Sequence, residues 1–89
     1  MARLYVRHDV ADYDAWRKVY DDFGAFRRQH GVTAAGVHRN VENGNDITVF
    51  HDFGTVDEAK ALIDSAELKD AMARAGVVMP PTAWITEEA

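Results

Sequence analysis

Residues 2–10, ARLYVRHDV, put Leu4, Val6, His8 and Val10 on one side of an extended chain and Arg3, Tyr5, Arg7 and Asp9 on the other. A period of two predicts a strand with two different faces. The period then changes. Asp12 is placed to cap a helix in which Tyr13, Trp16, Val19, Tyr20, Phe23 and Phe26 recur at helical spacing, up to a stop at Gly31. On its outer side Asp14 with Lys18, Arg17 with Asp21 and Lys18 with Asp22 are spaced for weak surface pairs.

Val32 to Val41, VTAAGVHRNV, reads as a second strand, and Glu42-Asn43-Gly44-Asn45 carries a turn signal that makes a hairpin with the next run. That third strand, Asp46 to Phe53, sets Ile47, Val49, His51 and Phe53 against Thr48, Phe50 and Asp52. Thr55 and Glu58 form a capping box that opens a second helix. This helix carries Ala59, Leu62 and Ile63, weakens at Asp64-Ser65, and resumes through Leu68, Ala71, Met72 and Ala75 to Gly76. Pro80-Pro81 gives an extended approach to a last strand, Thr82 to Thr86, with Trp84 and Ile85 as its large residues.

The order of elements predicts an α+β fold of the ferredoxin-like βαββαβ type, one domain over 1–89, with a four-stranded sheet of antiparallel type. An internal echo fits it: VRHDVADYDA from Val6 lines up with VFHDFGTVDE from Val49, keeping Val6/Val49, His8/His51, Asp9/Asp52 and Asp14/Asp57 in step. We expect the first and third strands to be parallel central neighbours about 4.8 Å apart. That would set His8 beside His51 and Asp9 near Asp52, where mutual repulsion raises one carboxyl pKa unless each aspartate merely caps the following helix.

The chain of 89 residues has no cysteine, which closes the disulfide and thiolate routes by which small domains are often stapled. A net charge of −5 repels phosphate backbones and anionic lipid, so neither nucleic acid nor membrane is an expected partner. No apolar run is long enough to span a bilayer and no signal-like stretch follows Met1, so the expected location is cytoplasmic.

Two helices cover one face of such a sheet and leave the other open. With Leu4, Val6, Ile47 and Val49 towards the helices, the open face carries Tyr5 and Phe50, and in this reading Ala35 and Val37, among Arg7, Thr48 and Asp52. A second copy laid on that face would make a homodimer enclosing a chamber. At this point the chain resembles the dimeric α/β-barrel superfamily, specifically the small antibiotic-biosynthesis monooxygenase-like proteins. The resemblance is carried by RHDVADYDAW, the central hairpin, HDF with its capped helix, and AELKDAMARAGV leading into PPTAWITEE. It implies a homodimer and a small-molecule chamber. Members include cofactor-free monooxygenases, polyketide-type cyclases, lactone isomerases and haem degraders; no full catalytic set is matched, and the Asn, Trp and His set of the haem degraders has no counterpart.

His8 and His51 are the candidate catalytic pair, since a neutral imidazole titrates near pH 6.5 and takes a proton from a phenol or activated carbon. The competing reading is a strand-end histidine bound to a backbone carbonyl. No HxH or HxxxH spacing points to a metal site, and no cofactor is expected. Tyr5, Arg7, His38, Phe50 and Trp84 are the candidate substrate-binding residues. Arg7 would hold a carboxylate or enolate, or bridge to the partner subunit; Tyr5 would stack or donate; His38 has room above Ala34 and Gly36, or is simply exposed on an edge strand. Trp84 suits a flat ligand or the dimer interface, whereas Trp16 belongs to the core and His30 to a helix end.

The expected function is a cofactor-independent monooxygenase, cyclase or isomerase acting by proton abstraction on an aromatic or polyketide-like metabolite. The alternative is a non-catalytic small-ligand-binding or structural dimerisation module of the same fold.

Overall fold

Alternation along β1 (Ala2–Asp9) buries Ala2, Leu4, Val6 and His8 and leaves Arg3, Tyr5, Arg7 and Asp9 on the opposite face. The computed structural model describes residues 1–89. After β1 come α1 (Tyr13–Asp22), α2 (Gly24–Gln29), β2 (Ala34–Arg39), β3 (Asp46–Phe53), α3 (Val56–Ile63), α4 (Ala66–Arg74) and β4 (Thr82–Glu87). The four strands form one sheet in the order β2-β3-β1-β4. This is the ferredoxin-like α+β arrangement, with each expected helix divided in two.

The breaks have local causes. Asp12 caps α1 by accepting from Ala15 N at 3.1 Å, but at Phe23 the chain leaves helical geometry and α2 begins without a side-chain cap. Arg17 pairs with Asp21 at 3.0 Å, whereas the two spacings that involve Lys18 form no ion pair. In the other pair Thr55 and Glu58 close the capping box, and Ser65 starts α4 by accepting from Leu68 N. Gly31 and Gly76, at φ 93° and 80°, end α2 and α4; each lies before the residue whose N–H reaches back to the last helical turn, Val32 to Arg27 O and Val77 to Met72 O.

Every strand pair is antiparallel, which corrects the expected parallel β1 and β3. A helical crossover returns β2 parallel to β1, the hairpin then reverses β3 against β2, and β3 must therefore oppose β1. The hairpin connection runs over 40–45 with Asp46 N bonded to Asn43 O, and Gly44 keeps a negative φ, so the Asn-Gly pair sits in a longer loop rather than a two-residue primed turn.

Val6 lies directly opposite Val49. Around that pair Leu4, Ile47, Phe53 and Leu62 are the largest fully buried side chains, and Trp16, Met72, Ala75 and Val77 complete the core between sheet and helices. The register of β2 corrects another expectation: Ala35 and Val37 pair with His51 and Val49 and so face the helices, while Ala34, Gly36 and His38 share the open face with Asp52, Phe50 and Thr48.

Candidate functional site

His8 and His51 both point under the helices, 7% and 5% exposed. The antiparallel register pairs His8 with Ile47 and His51 with Leu4, so the histidines are four residues, or about 13 Å, apart along the strands. They are not a base-and-relay couple. The sequence echo survives in another form: each histidine follows one valine of the Val6–Val49 pair by two positions, so the two rings flank that pair from opposite ends.

Between these ends lies a cavity of about 50 Å³ walled by the sheet, α1, α2 and residues of α3 and α4. Its wall is hydrophobic apart from His8, His51, Arg27 and the Tyr20 hydroxyl. The volume is several times the ~10–15 Å³ that one water needs on this measure, though well below a typical substrate pocket. Met72 in the wall is unbranched and adapts to the shape of an occupant.

Buried polar atoms are nearly always hydrogen-bonded, because leaving one unmade costs about 1–3 kcal/mol. In this chain the buried side-chain nitrogens and oxygens without a partner are Nδ1 and Nε2 of His8 and Nδ1 of His51. Both histidines belong to the cavity wall, and these nitrogens are themselves covered. His51 Nε2 lies 3.4 Å from the Tyr20 hydroxyl, at the limit of a hydrogen bond. His8 sits 5.6 Å from the Trp16 ring, which stacks in turn on Tyr20 at 4.9 Å. Burial, then the positive charge of Arg27, holds the His51 pKa down at about 4. Burial also lowers that of His8, against the pull of Asp9 and Asp46. Both rings are thus neutral at pH 7, and burial raises the Tyr20 phenol.

The expected substrate-binding residues lie elsewhere. Tyr5, Arg7, His38, Phe50 and Trp84 occupy the open face, with the sheet between them and the histidines. The structure therefore separates the expected catalytic pair from the expected binding set, because adjacent strand residues point to opposite faces. On the open face Tyr5 stacks on Trp84 at 5.3 Å, His38 lies 6.1 Å from Phe50, and the Arg3 guanidinium stands 4.2 Å over Phe50. Arg7 is committed to Asp46 through two hydrogen bonds of 3.0 and 2.6 Å, which with Asn40 hold the Asp46 carboxyl down at about 2.

Asp52 is held in the same way by Arg3, at 2.6 and 3.0 Å, and its pKa falls for that reason. Asp9 lies opposite Asp46 and Asp52 opposite Arg3, so the expected closeness of Asp9 and Asp52 is also corrected. Neither caps a helix; Asp12 and Thr55 do. His30 Nδ1 meets Phe26 O at 3.0 Å at the end of α2, as expected of a helix-end residue.

Tyr20 and Arg27 are the cavity groups that the sequence reading passed over. Trp16, Tyr20, Phe23 and Arg27 follow one another at helical spacing, so a cation stands where the apolar stripe calls for another hydrophobe. That mismatch was the available signal.

No protein-family profile matches the chain, and no curated protein matches it closely. Solved structures do. A Bordetella bronchiseptica protein provisionally named an antibiotic biosynthesis monooxygenase superposes with a TM-score of 0.81 at 15% identity, covering 99% of this chain and 96% of that one. SnoaB, a cofactor-independent oxygenase from Streptomyces nogalater, gives 0.79 at 10% identity over 99% and 92%. A conserved protein from Methanosarcina mazei Go1 gives 0.78 at 13% identity over 99% and 92%. At these identities the likeness is one of fold: the chain has the ferredoxin-like fold of the antibiotic-biosynthesis monooxygenase structures. No helix is long and apolar enough to cross a membrane.

The buried histidines set a pH dependence. An unfolded histidine titrates near 6.5, so with a folded value of about 4 the stability tied to neutral His51 is complete above pH 6.5 and is lost as pH falls towards 4. The decline is up to ~1.4 kcal/mol per pH unit for this one ring. Asp46 and Asp52, whose folded values are lowered, weaken the fold only below their ordinary range near 3.8, in a separate window. Urea denaturation between pH 7 and 4 should show the decline, and His51→Phe should make it shallower, leaving the part due to His8; equal slopes would mean that His51 is not buried as the neutral ring.

Proposed function

We propose that the cavity beneath the helices is the working site of a cofactor-independent enzyme of monooxygenase, cyclase or isomerase type, in which His51 or His8 removes a proton from a small aromatic or polyketide-like substrate. The observation that carries this reading is the pair of buried histidines in the wall of an otherwise apolar cavity, with imidazole nitrogens that find no partner in the chain. A ligand oxygen or acidic C–H brought there meets a neutral ring able to accept a proton. The low pKa of His51 weakens it as a base in the empty site, but a substrate anion formed beside the new imidazolium offsets the cost of charging it in an apolar wall. The fold shared with a cofactor-independent oxygenase supports the same reading. The resulting anion cyclises, isomerises or reacts with oxygen according to the substrate's own structure. That same low pKa favours a second reading, a binding site without turnover, in which the histidines serve only as hydrogen-bond partners.

The open face of the sheet is the surface we assign to a second copy of the chain. Tyr5, Trp84 and Phe50 form an aromatic patch there, bordered by the Arg3–Asp52 and Arg7–Asp46 pairs, and Trp84 is 42% exposed. A tryptophan and its stacked neighbour at this exposure suit an interface better than solvent. Tyr5, Arg7, His38, Phe50 and Trp84 then act in assembly, on the far side of the sheet from the histidines.

Proton abstraction is tested directly by deuterium exchange at the α-carbon of 1-indanone in D2O, followed by proton NMR. The native protein should accelerate exchange over buffer, and His51→Gln or His8→Gln should cut the gain by at least about tenfold, the low end of general-base effects. Indanone bound without any acceleration would favour the non-catalytic reading. Sedimentation velocity should give twice the chain mass, falling to one chain mass in Trp84→Lys; a native protein that sediments as a monomer would overturn the assembly.

A further inference from the structure

Arg27 is anomalous in its place. It lines the apolar cavity with its guanidinium carbon 3.7 Å from the centroid of the Tyr20 ring, and its Nη1 donates to Tyr20 O at 2.6 Å. Its Nε and Nη2 donate to nothing in the chain, and it forms no ion pair: the carboxylates that pair with arginines are Asp52, Asp46, Asp21 and Asp70, each to another residue. The nearby Asp21 is already taken by Arg17 at 3.0 Å. No carboxylate lines the cavity. A chain of net charge −5 thus places Arg27 in the wall of its apolar cavity, with Arg17, Arg28 and Asp21 close enough to act on it and no carboxylate paired to it. Partial burial of an unpaired guanidinium is costly, and an anion in the cavity would remove the cost.

We propose that the cavity selects an anion: a flat phenolate or enolate whose charged oxygen meets the free N–H groups of Arg27 while its ring lies against the apolar wall. This rests on the cavity being the working site and adds the group that holds the ligand's oxygen once its proton is gone. The guanidinium offers two adjacent donors to a single oxygen, a geometry suited to an oxyanion. The groups that bear on the ligand's ionisation are Tyr20, Arg17 and Asp21 from α1, Arg27 and Arg28 from α2, His8 from β1 and His51 from β3. From α3 and α4 the wall receives only apolar side chains, Leu62, Leu68, Ala71 and Met72 among them. Asp52 acts on His51, and Asp9 and Asp46 on His8, from outside the cavity; with both histidines neutral, Arg27 is the charged group in the wall itself.

The probe is 4-nitrophenol, a single ring that ionises near neutrality and is yellow only as the anion, paired with 4-nitroanisole, which cannot ionise. Titrating the full chain with 4-nitrophenol across its ionisation should show the phenolate bound about tenfold more tightly than the phenol, seen as a shift of about one pH unit towards acid. Arg27→Gln should abolish the shift and Arg27→Lys should keep most of it, while 4-nitroanisole binds both variants and the native protein alike. Absence of the shift in the native protein, with 4-nitroanisole still bound, overturns the anion proposal and leaves the cavity reading standing. Failure of both probes to bind the native protein overturns the two together. Because the native shift decides the matter by itself, an Arg27→Gln chain that does not fold leaves the proposal equally exposed to refutation.

Discussion

The pairing of Val6 with Val49 across two antiparallel strands governs the rest of the molecule. Once those valines are opposite one another and turned towards the helices, alternation sends Leu4, His8, Ile47 and His51 inwards and Tyr5, Arg7, Thr48 and Phe50 outwards. A slip of one residue would invert both faces, placing arginines in the core and valines in solvent. Burial of the aliphatic side chains at about 25 cal/mol per Å² is what makes that slip prohibitive. The histidines are carried inside by the register, as members of an apolar face.

Two imidazoles placed there find few partners among their neighbours. Nδ1 and Nε2 of His8 and Nδ1 of His51 find no partner, and the positive Arg27 depresses the His51 pKa further. A hydrophobic residue in either position would pack with no such penalty. Polar groups without protein partners beside a cavity are the observation on which the proposed site rests. The opposite face shows the contrary economy: Asp46 and Asp52 are buried, yet each is held by two hydrogen bonds from an arginine. Unmet polar capacity is thus concentrated on the helix side of the sheet.

Much of this was legible from residues alone. Alternation in 2–10 and 46–53, the Asp12 cap, the Thr55–Glu58 box, the weak point at Asp64-Ser65 and the stops at Gly31 and Gly76 are local signals read within a few positions, and all appear in the structure. The break at Phe23 was passed over because the apolar spacing runs through it from Tyr20 to Phe26, although Asp21-Asp22 before it and Gly24 after it are a local breaker signal. Strand direction is a consequence of topology, so the parallel placement of His8 beside His51 failed even though the order of elements was correct. Grouping His8 with Tyr5 and Arg7 in one chamber asked two faces of one strand to meet, which alternation already forbade. Arg27 was missed because a charged residue near a helix end reads as solvated surface; only the fold brings it against Tyr20 and the cavity.

The central claim is that the buried histidines, not the exposed aromatic face, are where a ligand acts. The most direct measurement is a long-range proton–nitrogen correlation NMR spectrum of the histidine side chains at pH 7, recorded with and without 1-indanone. The account predicts neutral rings at His8 and His51 whose nitrogen shifts change on addition of the ketone, while those of His38 on the open face stay fixed. If His38 and the Trp84 indole respond and the signals of His8 and His51 do not, the site lies on the other side of the sheet and the account is contradicted.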